Sequence, residues 1–444
     1  MSHKECPARC VVLNNTIISR SNQHSHAPDI SRLEARKAIN TIKESACSNN
    51  LTPLEIISRE TANLSEAVIG SLGNIPNIKR KIQRSRNNNE HLPAEPHNFL
   101  EIHIPLELQQ TLSGGRFLFI DNNDAINRII VFCSDWQLEL MRTHTHWYCD
   151  GTFKTAPRLF CQLYTFHIKM ISSVVPVLYA IMPNKRQQTY EELMNILHQH
   201  VPQINVIRIV SDFEIAALNA IRHHFPSAII SGCFYHFSQS IWRKIQSEEP
   251  LLSQYRSDPD NQIYIKMLLA LAFVPIDDVI SAFEVYQSLD YVISNSDILN
   301  PLLDYFEDNY IGRFTANNLR RQPPFPINIW NMFDATLNDL HRTNNSVEGW
   351  HNGFSKIVNC HHPSLMKFIT YLQVDEGYQR VVAIQNRDGI ARINQRREYR
   401  ELNRRLKTIV EGYSRDRLDE YLRAIAINIQ IKRKHDFLFL LYLD

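Results

Sequence analysis

The chain has 444 residues, of which 44% are hydrophobic, and a formal net charge of only +2. This composition excludes a largely disordered chain, and no stretch approaches the ~18–20 apolar residues of a membrane span. The first residues lack the apolar region of a signal peptide, and the eight scattered cysteines form no disulfide framework. We therefore expect an intracellular protein of roughly two to four domains.

Residues 30–90 are predicted to form a small basic helical region that follows an unpatterned segment, 1–29. A first helix, starting at Pro28 and Asp29, has alanine and isoleucine at helical spacing. Thr52, Pro53 and Glu55 form a capping box that begins a second helix. A third helix, 76–86, carries the cations Lys79, Arg80, Lys81, Arg84 and Arg86. These cations either contact a DNA backbone or belong to a solvated basic helix beside a linker.

Strands become frequent after a linker and a β-hairpin lead-in, 91–135. We predict hairpin strands at 117–120 and 129–132, a helix at 135–143, and strands at 145–153, 160–170, 174–182, 205–211 and 228–233. A helix is expected at 189–200, with Thr189 as its N-cap. A further helix is expected after each of the last two strands. Three strands in series followed by alternating helix and strand indicate an α/β fold with an RNase-H-like mixed sheet. The first part of this core covers 136–257.

The remaining sequence is predicted to be helical. Residues 258–340 have no strand pattern and form an all-helical insertion, whereas 341–380 return to the core with a helix that Glu348 opens. The basic helical tail, 381–444, ends in an apolar run at 437–442 that is too short to span a membrane. We expect this run to pack on the domain or on a partner.

Three acidic residues lie at informative places in this pattern. Asp150 and Asp212 fall at or near strand ends, and ligands bind at the carboxyl ends of such strands. Alone, Asp150 is compatible with a turn residue, Asp212 with a helix N-cap and Glu348 with a first-turn residue. Together they can hold two Mg²⁺ or Mn²⁺ ions, which prefer oxygen ligands and can cut and join phosphodiesters. This set predicts a nucleic-acid enzyme of the DDE type.

Five motifs in this order resemble the MULE (Mutator-like element) transposase domain over about residues 140–380. They are 150–154 (DGTFK), 179–183 (YAIMP), 211–214 (SDFE), 233–236 (CFYH) and 344–351 (NNSVEGWH). The resemblance implies an RNase-H-like fold with a helical insertion before the catalytic glutamate. It also implies metal-dependent cutting and strand transfer at transposon ends in double-stranded DNA, with Asp150, Asp212 and Glu348 as the metal-binding triad. A nuclear homo-oligomer that pairs two ends is the corresponding expectation.

Cysteine and histidine pairs suggest zinc at two places. Cys233 and His236 have a spacing that can start a zinc site, and Cys360, His361 and His362 are candidate partners. The alternative is a buried cysteine and a capping histidine that shape the active-site edge.

At the N-terminus, Cys6, His24 and His26 resemble the second half of a FLYWCH zinc finger. Its usual first cysteine is missing, so Cys10 or His3 substitutes for it or the finger is broken.

Three functions are compatible with these features. The first is an active Mutator-like DDE transposase, which the intact triad favours. The second is a domesticated, transposase-derived DNA-binding protein without transposition activity, which the shortened zinc finger favours. The third is an RNase-H-like nuclease acting on RNA–DNA hybrids, against which the helical insertion and the sequence around Glu348 argue.

Overall fold

A computed structural model describes most of the chain, which divides into two compact units, 1–94 and 95–444. The described residues are 7–13, 16–23, 27–48, 51, 53–89, 93, 95–171, 173–201, 204–389, 397–429 and 431. No helix within these ranges is both long enough and apolar enough to cross a membrane.

The described residues of the first unit form a two-stranded antiparallel hairpin and four helices. They are β1 (Arg9–Leu13), β2 (Thr16–Ser21), α1 (Ile30–Ser48), α2 (Pro53–Thr61), α3 (Glu66–Ser71) and α4 (Ile75–Asn89). The face of α1 predicted to be apolar is buried, and it packs with residues such as Ile56 and Ile82 into a small core. Thr52, the predicted cap of α2, lies outside the described residues. Helix α4 runs from Ile75 to Asn89, so it ends three residues later than the predicted helix 76–86.

The second unit is built on a seven-stranded mixed sheet. Its strands are β3 (Leu118–Asp121), β4 (Ile130–Phe132), β5 (His146–Thr152), β6 (Gln162–Lys169), β7 (Val174–Met182), β8 (Arg208–Ser211) and β9 (Ile229–Gly232). They lie in the order β3-β4-β7-β6-β5-β8-β9, and only the β5–β8 and β8–β9 pairs are parallel. The predicted mixed α/β architecture is therefore confirmed.

The centre of the sheet is buried on both faces. Strands β6 and β7 have almost no exposed side chains, and the large rings of Trp147, Tyr164 and Phe166 contact one another edge to face in the core. Strands buried in this way have continuous runs of apolar and β-branched residues. This is why the sequence pattern located them well.

Among the described residues of this unit fifteen α-helices accompany the sheet, and the segment between β9 and the Glu348 helix has no strand apart from one isolated bridge. They are α5 (Asp135–Thr143), α6 (Gln187–His200), α7 (Ile215–His224), α8 (Phe234–Ser247), α9 (Glu249–Ser257), α10 (Pro259–Ala270), α11 (Val279–Gln287), α12 (Asp290–Ser294), α13 (Ser296–Phe306), α14 (Ile327–Trp330), α15 (Phe333–Leu337), α16 (Asn345–Val358), α17 (Leu365–Arg387), α18 (Arg397–Glu411) and α19 (Leu418–Asn428).

The predicted cap of α6 is wrong. The helix begins at Gln187 and Arg186 occupies the N-cap position. Thr189 lies inside the helix and is buried, and its hydroxyl is 2.8 Å from the Oδ1 atoms of both Asn127 and Asn184. A tertiary contact therefore uses the side chain that the capping pattern had assigned to the helix end.

The tail helices belong to the same core as the helical insertion. Helix α19 packs against α10, and α18 packs against α15. The Tyr413 hydroxyl donates to Asp278 Oδ2 (2.8 Å), and the Tyr421 hydroxyl donates to the carbonyl of Phe273. The helical layer is thus assembled from two separate stretches of sequence. The apolar run at 437–442 lies outside the described residues.

Candidate active site

Two of the three predicted acids are placed by the parallel pairing of β5 with β8. In this ladder Tyr148 is paired with Val210. Asp150 and Asp212 each lie two residues further along their chains. Since side chains two apart in a strand point to the same face, the Asp150 carboxylate lies on the face of β5 that carries Tyr148, and Asp212 directly follows the last residue of β8.

Helix α16 brings the third acid to this face. Val347 is buried against Tyr148 and Val210. In the residue before the helix, the Asn344 side-chain amide donates to the carbonyl of Cys149 (3.2 Å). Glu348, in the first turn of α16, is therefore held beside the strand that carries Asp150.

Asp212 and Glu348 both act electrostatically on Asp150, but among the described residues the ligand atoms of the three acids do not all lie within 4.8 Å of one another. Asp150 is only 7% exposed. Burial raises its pKa well above 3.8, and the negative charges of Asp212 and Glu348 raise it further. Burial and then Glu214 raise the pKa of Asp212 to about 6. Buried, mutually repelling carboxylates are costly unless a cation neutralises them, so this donor set fits divalent metal ions.

A lysine and a glutamate that the sequence analysis did not single out border the pocket. Lys185 Nζ donates to Glu214 Oε2 (3.1 Å) and lies 3.7 Å from the ring centre of Phe153. Its charge lowers the pKa values of Asp150 and Asp212. Glu214 belongs to the motif around Asp212, but Lys185 lies in the loop after β7, where no sequence pattern identified it.

Cys233 and His236 border the same pocket from the start of α8. The Cys233 sulfur accepts a hydrogen bond from the backbone N–H of Asn344 (3.1 Å), and His236 Nε2 lies 3.4 Å from Glu348 Oε1. One ligand atom each from Cys233, His236 and Glu348 lie within 4.8 Å of one another.

The third member of this cluster is therefore Glu348. The partners that the sequence suggested for Cys233 and His236 do not belong to it. Among the described residues, Cys360, His361 and His362 are not part of the cluster. His362 Nδ1 instead lies 3.1 Å from the carbonyl of Ala156.

Burial keeps this pair uncharged at neutral pH. It raises the pKa of the Cys233 thiol to about 12, with a smaller contribution from Glu348. It also lowers the pKa of His236 to about 4, with a contribution from Arg243. Both interpretations of this pair, a metal site and a shaped edge of the active site, stay predictions.

His351 is a further pocket residue to which the sequence analysis gave no role. It follows Glu348 by three residues, so both side chains lie on one face of α16. His351 Nε2 is 3.5 Å from Asp150 Oδ2, and burial lowers the pKa of the ring to about 3. Within the described part of the chain, neither of its ring nitrogens has a hydrogen-bond partner.

The predicted N-terminal sites lie in the other unit. Cys6, His24 and His26 are outside the described residues. The predicted DNA-contacting cations lie on α4, where Lys79, Arg80, Lys81 and Arg84 are exposed. Arg86 is half-buried, and its guanidinium donates to the backbone carbonyls of Ala46 and Leu51.

Arg86→Ala is expected to destabilise the first unit by about 1–2 kcal/mol, because two carbonyls lose a charged donor. Hydrogen exchange of the full chain should show roughly 5- to 30-fold weaker protection of the α1 and α4 amides. The exposed Arg84→Ala is the matched control and should leave protection within about twofold. Equal effects of the two substitutions would show that the Arg86 contacts do not stabilise the unit.

Residues 146–240 match the family model of the MULE transposase domain. This range contains Asp150, Asp212, Cys233 and His236, whereas Glu348 and His351 lie beyond it. No curated protein matches the chain.

A solved structure, titled "Drosophila P element transposase strand transfer complex", is similar at 10% identity over 88% of this chain and 91% of that chain, with a TM-score of 0.23. A likeness this weak supports no statement about fold or activity.

Proposed function

We propose that the chain is a DDE-type DNA transposase of the Mutator-like group. It would use two divalent metal ions for phosphodiester hydrolysis and strand transfer at transposon ends. The observation that carries the proposal is geometric: Asp150 and Asp212 lie at the carboxyl ends of the paired parallel strands β5 and β8, and Val347, next to Glu348, packs on both strands. The MULE transposase domain match over 146–240 supports it.

We also propose that the sheet is RNase-H-like. Strands β5, β6 and β7 form consecutive antiparallel pairs, and β8 and β9 extend the sheet in parallel beyond β5. The helical segment α9–α15 lies between the second and third acids in sequence. This order supports the assignment of Asp150, Asp212 and Glu348 as the metal-binding triad.

The pocket residues fit Mg²⁺ or Mn²⁺, which bind carboxylate oxygens. When bound, the ions would activate the attacking oxygen and stabilise the leaving oxygen. Asp150 is held for this role by the Gly151 N–H, which donates to its Oδ1 (2.9 Å). Ser211 Oγ lies 3.4 Å from Asp212 Oδ1 on the neighbouring strand. The chain thereby fixes the carboxylates before a cation arrives.

A basic groove supports DNA as the substrate. The groove has a volume of about 1180 Å³, and it is lined by Tyr235 and Asn345 beside the pocket and by side chains of α18. Its cations are Lys169, Arg342, Arg400, Arg404, Arg405 and Lys407, of which Lys407 is paired with Asp339 in the same lining. Such cations bind the phosphate backbone without reading the sequence. The exposed cations of α4 are proposed as a further DNA contact within the first unit.

A nuclear location and a homo-oligomer are part of the proposal, because the substrate would be a pair of DNA ends. Zinc at the N-terminal cysteine and histidines also remains a proposal.

The test is cleavage of duplex DNA that carries the sequences flanking the gene, with Mg²⁺ or Mn²⁺ and the purified full chain. Nicking at the element boundary that EDTA abolishes is the expected result. Binding of this DNA without cutting in either metal would instead support the domesticated DNA-binding protein. Cutting restricted to RNA–DNA hybrids would overturn both.

A further inference from the structure

His351 leaves two buried nitrogen atoms unused in the candidate pocket. The residue is 9% exposed, and in the described part of the chain Nδ1 and Nε2 have no hydrogen-bond partner. Buried polar atoms normally find a partner, and an exception calls for a physical cause such as an ion. The Asp150 carboxylate oxygen Oδ2 lies 3.5 Å from Nε2 of the ring.

We propose that His351 is a nitrogen ligand of the divalent ion held by Asp150, which makes the pocket a mixed nitrogen–oxygen site that prefers Mn²⁺ to Mg²⁺. This inference rests on the proposed function, because it assumes that Asp150 binds a metal ion. It adds a fourth side chain to the three carboxylates and specifies which ion the site selects.

The separation of the two atoms suits a shared ion better than a direct hydrogen bond. An N–H···O hydrogen bond spans about 2.7–3.2 Å, which is shorter than the 3.5 Å between His351 Nε2 and Asp150 Oδ2. Two ligand atoms bound at about 2.0–2.2 Å to one ion, at angles of 90–110°, lie about 2.8–3.6 Å apart. The observed separation is at the upper end of that range.

The helix and its surroundings hold the ring in place. His351 lies one helical turn beyond Glu348, so α16 presents an oxygen donor and a nitrogen donor on the same face. The rings of Trp350 and His167 lie edge-on to the His351 ring, with centres 4.9 and 6.1 Å away. A ring fixed in this way loses little freedom when it binds an ion.

The nitrogen donor determines the choice of ion. Mg²⁺ demands oxygen ligands in near-ideal octahedral geometry and gives up its waters reluctantly. First-row transition ions, beginning with Mn²⁺, accept imidazole together with carboxylates. Replacing one oxygen ligand by nitrogen therefore penalises Mg²⁺ more than Mn²⁺.

The test is pulsed EPR of the full-length protein with one equivalent of Mn²⁺ and no DNA, using protein labelled with ¹⁵N only in histidine. A histidine nitrogen coupling to Mn²⁺ is expected in the wild type and in His236→Asn, the matched control whose ring lies near Glu348. It should be lost in His351→Asn and His351→Gln. These two variants should weaken Mn²⁺ binding about tenfold, with less than about a threefold change for Mg²⁺.

Three results would overturn the assignment: no nitrogen coupling in Mn²⁺-loaded wild type, coupling that persists in His351→Asn, or equal losses of Mn²⁺ and Mg²⁺ affinity. A wild-type spectrum without nitrogen coupling overturns the assignment even if both variants misfold. The readout needs no DNA, so a nuclease without nitrogen coupling would refute the ligand and leave the proposed function intact. A protein that shows nitrogen coupling but never cuts DNA would refute the proposed function and leave His351 as a ligand.

Discussion

Asp150→Asn is expected to lower metal-dependent DNA cleavage by on the order of 10³-fold or more, with DNA binding retained within about threefold. The amide matches the carboxylate in shape but lacks the charge that holds a divalent ion. Asp212→Asn and Glu348→Gln should have the same effect, because the three carboxylates act as one unit. Cleavage rates and DNA affinity should be measured side by side in Mg²⁺ and in Mn²⁺.

The same substitution is expected to leave the metal-free protein as stable as the wild type or more stable. Burial and the charges of Asp212 and Glu348 raise the pKa of Asp150, so its ionised form is unfavourable in the native state. Asp277→Asn, at an exposed position in the helical insertion, is the control and should change neither cleavage nor melting temperature. An Asp150→Asn protein that still cuts at the wild-type rate would refute the triad.

Asp375→Asn is expected to remove a pH-dependent loss of stability worth on the order of 3 kcal/mol. Asp375 is 2% exposed on α17 and accepts hydrogen bonds from the Tyr179 hydroxyl (2.8 Å), Trp350 Nε1 (3.1 Å) and Gln379 Nε2 (3.1 Å). Burial raises its pKa from 3.8 to about 6, although these donors oppose the shift. Ionisation of Asp375 therefore costs stability in the folded protein.

The direction of the effect follows from proton linkage. Between pH 4 and pH 6 the native state binds more protons at Asp375 than the unfolded state, so stability falls as pH rises. Below about pH 4 the Asp375 carboxyl is protonated in both states and does not reduce the free energy of unfolding. Above about pH 6 it is ionised in both states and the full reduction is present. The asparagine variant does not titrate, so its stability relative to the wild type should rise across this window.

Urea unfolding followed by tryptophan fluorescence measures this difference, since all five tryptophans lie in the second unit. The exposed Asp388→Asn, at the end of the same helix, should stay within about 0.5 kcal/mol of the wild type at every pH. Parallel stability curves for wild type and Asp375→Asn between pH 4 and pH 7 would contradict the assignment.

Elements with a complete local pattern could be predicted from the sequence. Strand β7 is a buried, mostly apolar run, β6 is rich in aromatic and β-branched residues, and α1 has a single apolar stripe of five residues. By contrast, β2 is exposed on both faces and α3 has only six residues. Neither has the alternation or the length that a sequence pattern requires, so both were missed.

The candidate site shows the same division. Asp150, Asp212 and Glu348 could be named because each lies in a distinctive motif beside a strong structural pattern. The position of Lys185 near two of these acids depends on the path of a loop. The contact between His236 and Glu348 depends on how α8 and α16 meet. Such contacts arise from tertiary packing between distant segments, which local periodicity does not contain.

The shared core of the insertion and the tail has a consequence for synthesis of the chain. Helix α10 is translated long before α19, against which it packs. A nascent chain that ends at α16 therefore lacks the helix that covers part of α10 and α11 in the finished protein. Until the last helices leave the ribosome, this surface is open to aggregation and to chaperones. Premature termination after the Glu348 helix would thus yield an insoluble product even though every acidic residue of the pocket had been made.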